Sequence, residues 1–215
     1  MQGELEKALR KLGWEGRTVF LAGRTDTGTH AKGQVAAFDL DWPHPLAGLR
    51  NALNASLPDD VAVREVKVAS ADFQPRFAAK SRRYRYRLFC QEVRDPLRER
   101  YAWRVWPPVA DLRPLEKIWQ GQHDFAAFGS PMKPGGSTVR KVLVAEWQNQ
   151  GDEWSFEIEA DAFLYRMVRR LVYLQVAAGQ GKVQAKDLSA ALISKEQLLP
   201  GLAPACGLTL VEVCY

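Results

Sequence analysis

An α+β fold with mainly antiparallel sheets is expected from three features of this chain. Its 215 residues, 47% of them hydrophobic, suffice for a sizeable core in one large domain or two small ones. Its first half reads, in periodicity, as helix, strand, strand, helix, strand, strand. Its second half runs similarly, after a break at Pro107 and Pro108. The two halves are placed at 1–105 and 106–215.

Each element has a local reason. Leu5, Ala8, Leu9 and Leu12 recur at i, i+3, i+4 and i+7, so residues 2–13 read as an amphipathic helix. RTVFLA (17–22) reads as a strand cut off by Gly23, and residues 23–33, with three glycines, as a loop. QVAAFDL (34–40) reads as a second strand, and Leu46, Leu49 and Leu53 mark a helix over 45–57. DVAVREVKV (60–68) and RRYRYRLFC (82–90) alternate as half-buried strands do. In the second half a helix is expected over 111–119. Strands follow over 140–148 and 153–160, after a Gly- and Pro-rich loop at 129–137. Phe163, Met167, Leu171 and Leu174 keep helical spacing over 162–178. A short helix near 186–193 and a strand near 208–213 complete the order.

Composition excludes several classes. Thirty basic against 25 acidic residues give a net charge of +5, a mild bias that permits an acidic partner without requiring one. Cys90, Cys206 and Cys214 form no C-x-x-C, so a disulfide scaffold or structural zinc site is not expected, and a reducing compartment is. No apolar run approaches the ~20 residues that span a bilayer, and the N-terminus lacks a signal-peptide core. A soluble cytoplasmic protein is the expectation.

The positive charge is concentrated. Residues 76–104 hold ten basic and three acidic side chains. In SRRYRYRLFC the period of two puts Tyr84, Tyr86, Leu88 and Cys90 on one face and Arg83, Arg85, Arg87 and Phe89 on the other. Such a strand suits RNA, with guanidinium groups on phosphate and an aromatic ring on an unpaired base. It equally suits a core strand with arginines in water, and the segment alone does not separate the two.

The loop AGRTDTGTHAKGQ (22–34) is the most informative segment. It lies between two expected strands, where sites are commonly built, and carries one carboxylate, Asp26, among Arg24, Thr25, Thr27 and His30. Its glycines permit a tight path, but its spacing is neither a P-loop nor a dinucleotide fingerprint. A turn in which Asp26 and Thr27 bond their own backbone accounts for the loop as well.

Five blocks change the balance. GRTDTGTHA resembles the GRTDxGVHA signature of the tRNA pseudouridine synthase A family. FQPRFAAKSRRYRYRL (73–88), GQHDFAAF (121–128), FLYRMVRRLV (163–172) and GLTLVEVCY (207–215) resemble its later blocks, in the same order and across nearly the whole chain. The resemblance implies two ferredoxin-like halves meeting at a central catalytic cleft. It implies Asp26 as the catalytic aspartate, Tyr84 packing on the target base, Arg169 pairing with the aspartate and Leu208 in the apolar pocket floor. It further implies RNA contacts from Arg24, His30, Arg82 and Arg83.

The implied reaction, uridine to pseudouridine in the anticodon stem-loop of tRNA (positions 38–40), exchanges an N–C for a C–C bond between the same two rings. There is no redox change, so neither cofactor nor metal is expected. An ionised carboxylate in a water-excluding pocket needs a partner, and a guanidinium supplies it. Spacing alone would make Arg166 and Arg169 a solvated stripe; the pairing rests on the resemblance. A homodimer holding one tRNA is implied in the same way. The chain departs from the family pattern by beginning inside the first helix, so the strand that relatives place ahead of it is expected to be absent and the first sheet to have an unpaired edge. Thr29 and Tyr173 replace the usual valine and glycine. A tRNA-binding protein of the same fold with little catalytic power is the rival expectation.

Overall fold

The computed structural model describes residues 1–215. In chain order the elements are α1 (Gln2–Lys11), β1 (Phe20–Leu21), β2 (His30–Ala31), β3 (Ala36–Ala37), α2 (Leu46–Asn54), α3 (Pro75–Ala78), β4 (Ser81–Cys90), β5 (Trp103–Val105), β6 (Gly121–Asp124), β7 (Val139–Gln150), β8 (Glu153–Ala160), α4 (Met167–Gly179), α5 (Ala185–Ser194) and β9 (Leu208–Cys214). The fold is α+β, and all its pairings are antiparallel except β2 with β9 and β4 with β5. No helix is long and apolar enough to cross a membrane.

The chain forms two compact units, 1–23 with 35–78 and 24–34 with 79–215. In the first, the stripe of α1 packs Ala8 and Leu9 with Trp14, Val19, Leu49 and Leu53. Its sheet is only the pair β1–β3, two residues each. The strands expected over 17–22 and 34–40 are therefore shorter than the alternation suggested, and the one over 60–68 does not form. Val63 and Val66 still pack on the core. The backbone of Val63 is bonded on both sides by the Asn54 amide, at 2.7 and 2.9 Å. Alternation reports a buried face, and here a side-chain amide takes the place of a ladder partner.

The second unit is built on a seven-stranded sheet in the order β2-β9-β4-β8-β7-β6, with β5 beside β4. β7 and β8 form a two-residue hairpin turning at Gly151 (φ 65°). α4 buries Met167, Val168, Leu171, Val172, Leu174 and Val176 in a core shared with Tyr86, Leu88, Trp147, Phe156 and Ile158.

Three expectations are corrected here. Residues 113–118 form a 3-10 helix; its N-cap Leu112 and its apolar residues Leu115 and Ile118, three apart, share one face. The long helix begins at Met167 instead of 162, because Tyr165 bridges to Ser130 and Arg166 adopts a left-handed conformation (φ 63°). The expected loop 23–33 contains β2, which adds parallel to β9.

Trp147 donates its indole N–H to the fully buried Gln175 side chain at 2.8 Å. Gln175→Leu keeps the volume but strands that N–H, which costs about 1–3 kcal/mol. Calorimetry should show a fall in Tm of roughly 2–4 °C per kcal/mol lost for a chain of this length.

Candidate active site

The site is assembled from four pieces of the second unit. The two-fold period of β4 turns Tyr84 and Tyr86 toward α4. The Tyr84 ring is partly buried and meets Phe163 edge-on, with centroids 5.1 Å apart. β9 lies beside β4 and sets the buried Leu208 opposite Tyr86. A Cβ on the preceding Gly207 would stand 2.6 Å from the Tyr86 ring and 2.7 Å from the Arg87 carbonyl, so this close strand approach admits only glycine.

The Asp26 loop is tied to the same strand. His30 and Ala31 pair with Thr209 and Leu210, and the Leu210 carbonyl accepts from the Lys32 N–H at 2.8 Å. Within the loop the Thr29 N–H returns to the Asp26 carbonyl at 3.0 Å, closing a turn whose third residue, Gly28, has φ 83°.

From α4, Arg169 reaches this loop. Its Nη1 forms an ion pair with Asp26 Oδ2, and its Nε donates to the Ala203 carbonyl at 2.8 Å. Only 14% of the Arg169 side chain and 20% of the Asp26 side chain are exposed, so water screens the pair weakly. The carboxylate lies within electrostatic reach of the Tyr84 phenol. Desolvation pushes the Tyr84 phenol up to about 12, with Arg82 opposing and Asp26 reinforcing the shift. The phenol is neutral near pH 7 and keeps its O–H as a potential hydrogen-bond donor.

The remaining residues singled out in the sequence divide between the two faces of the sheet. Arg82 lies near Tyr84 and donates to the Asp161 carbonyl at 2.9 Å. Arg83 points to the opposite face. There it grips Glu159 through Nε (3.0 Å) and Nη2 (2.7 Å), and the Ser81 hydroxyl bonds the same carboxylate at 2.6 Å. The Ser81 bond and then Arg83 hold the Glu159 carboxyl below the usual range. Arg85 pairs with Glu157 and Arg87 with Glu153, continuing this ladder. His30 also lies on that face, in a basin lined with Lys32, Arg85, Arg87 and Tyr101; its ring packs on Tyr101 at 5.0 Å. Arg24 is exposed at the start of the loop. Asp26, Tyr84, Arg169, Leu208 and Arg82 are thus grouped, and Arg83 and His30 are directed elsewhere. The sequence reading missed Phe163, Tyr86 and the Ala203 carbonyl. Tyr86 and Phe163 lie in the family-like segments 73–88 and 163–172, and the carbonyl has no side-chain signature.

A model of the family described as tRNA pseudouridine synthase matches residues 117–215. The chain is 39% identical to "tRNA pseudouridine synthase A" of Geobacillus kaustophilus, over all of this chain and 85% of that one. The chain belongs to this family. Proteins of the same name from Chloroflexus aurantiacus (40% identical, 80% of its length) and Limosilactobacillus fermentum (37%, 86%) also match along the whole chain. The Thr29 Oγ1 is buried with no hydrogen-bond partner. The Tyr173 ring stacks on Trp103 with centroids 6.5 Å apart.

Two outcomes follow. Thr29→Val removes an unsatisfied buried hydroxyl at constant shape and should stabilise the protein by about 1 kcal/mol in denaturant unfolding. Tyr84 keeps its proton to about pH 12 when folded and to 10 when unfolded. The stability this confers is complete below pH 10 and is lost as pH rises through 12. Tyr84→Phe should make stability fall less steeply in that window, read by unfolding curves at successive pH values.

Proposed function

We propose that this chain isomerises uridine to pseudouridine in tRNA, in the anticodon stem-loop at positions 38–40. The observation that carries the reading is the salt bridge of Asp26 with Arg169 beside the Tyr84 ring, in a chain of the tRNA pseudouridine synthase family. The reaction moves the uracil ring from a nitrogen to a carbon attachment on the same sugar, which needs a basic or nucleophilic group and a held base.

Asp26 is the basic or nucleophilic group, and Arg169 is its ion-pair partner. The target uridine leaves its stack to reach it, which costs a few kcal/mol and is partly offset by stacking on Tyr84. Tyr84 meets the base as a neutral ring and hydrogen-bond donor, and Leu208 closes the pocket floor. Arg24 and Arg82 meet phosphates near the flipped nucleotide; His30 and Arg83 contact RNA further out, on the other side of the sheet. The chain acts in the cytoplasm as a homodimer that holds one tRNA. Its three free cysteines fit a reducing compartment.

The test is a pseudouridine map of unmodified tRNA transcripts, made by carbodiimide labelling and primer extension. The chain should mark the anticodon stem-loop. Asp26→Asn should abolish the signal while tRNA binding persists. Arg169→Met should lower the rate by at least about 100-fold, because it leaves the carboxylate without its partner. A folded, tRNA-binding chain that makes no pseudouridine would replace this reading with that of an RNA-binding protein.

A further inference from the structure

Arg169 touches two things, Asp26 and the segment Gly201–Pro204 between α5 and β9. That segment is held with unusual density. Ala203 is fully buried; its carbonyl accepts Arg169 Nε at 2.8 Å, and its N–H returns to the Arg169 carbonyl at 3.3 Å. The Gly201 carbonyl accepts Arg170 Nη1 at 2.6 Å. The Pro204 carbonyl accepts the Tyr86 hydroxyl at 2.8 Å. Gly201 has φ 139°, and the Tyr173 ring fills the place its Cβ would take.

Arg170 is the informative member. Only 6% of it is exposed, and its Nε and Nη2 are buried with no partner. A buried guanidinium without a carboxylate is costly, and packing alone would be served better by an apolar side chain. The one hydrogen bond its side chain makes is to this segment. Tyr86 is likewise fully buried, and its ring would pack as well without the hydroxyl. Both polar groups bond carbonyls of the same strap, three residues apart.

We propose that Arg170 and Tyr86 are positioning residues for the isomerisation. They pin the Gly201–Pro204 strap, so that the Ala203 carbonyl fixes Arg169 Nε and the fork of that guanidinium is aimed at Asp26. A guanidinium is planar and rigid, so fixing Nε leaves Nη1 one direction. The catalytic pair is then oriented from behind by backbone, and the chain connecting α5 to β9 is part of the active-site frame. The proposal rests on the role given above to the Asp26–Arg169 pair.

Two readouts test it. In Tyr86→Phe and Arg170→Met, hydrogen exchange of the Arg169 Nε–H, followed by NMR on 15N-arginine protein, should quicken at least about tenfold. Arg170→Lys, which can still reach the Gly201 carbonyl, should restore protection. This readout needs no activity, so it stands apart from the fate of the synthase reading. In steady-state assays the same two variants should lower kcat about 10- to 100-fold with KM little changed, the signature of lost alignment and not of lost binding. An Arg169 Nε–H equally protected in wild type and both folded variants would overturn the proposal. So would a KM effect without a kcat effect, which would mark Arg170 and Tyr86 as general scaffolding.

Discussion

The ion pair between Asp26 and Arg169 is the constraint on which the rest of the second unit depends. Its partners are 143 residues apart in sequence and partly withdrawn from water. Neither is supported by its immediate neighbours alone. Asp26 is carried on a loop anchored through β2 to β9, and Arg169 on the first turn of α4. The loop therefore has to close tightly at Gly28, β9 has to approach β4 closely at Gly207, and α4 has to start late. The left-handed residue Arg166 is the local sign of that late start, at a conformation that a side chain adopts reluctantly.

The sheet separates two kinds of chemistry. Toward α4 it presents aromatic and aliphatic side chains, with the phenol of Tyr84 held neutral near the carboxylate. On its other face, three arginines of β4 meet three glutamates of β8. The charge-rich stretch 76–104 is accordingly less cationic in space than along the chain. Arg83, Arg85, Arg87, Arg94, Arg98 and Arg104 are all ion-paired with glutamates or Asp152. These pairs are partly exposed, so each stabilises weakly. Their larger effect is on specificity, since they fix the register of β4 against β8.

Much of this was legible in the sequence, for physical reasons. The period of two in SRRYRYRLFC correctly divided Tyr84 and Tyr86 from Arg83, Arg85 and Arg87, and EWSFEIEA formed a strand over the range expected. The helices over 2–11, 46–54 and 185–194 followed their apolar spacing and were missed only at the ends. What periodicity could not supply was partners. It gave residues 60–68 a buried face but no strand to pair with, and it gave Arg83 a face without showing Glu159 across from it. The pairing of Arg169 with Asp26 was legible only through family resemblance, because no local pattern links positions so far apart. The Ala203 carbonyl was invisible, since any residue there has one.

Asp26 and Arg169 are energetically coupled in the folded chain. A double-mutant cycle in denaturant unfolding measures the coupling directly, with Asp26→Asn, Arg169→Met and both together. Removing the arginine alone strands a half-buried carboxylate. The account therefore predicts that Arg169→Met destabilises more than the double variant does, with a coupling of at least about 1 kcal/mol. Additive losses within about 0.5 kcal/mol would contradict it, and would mean that the two side chains are neighbours without being a pair.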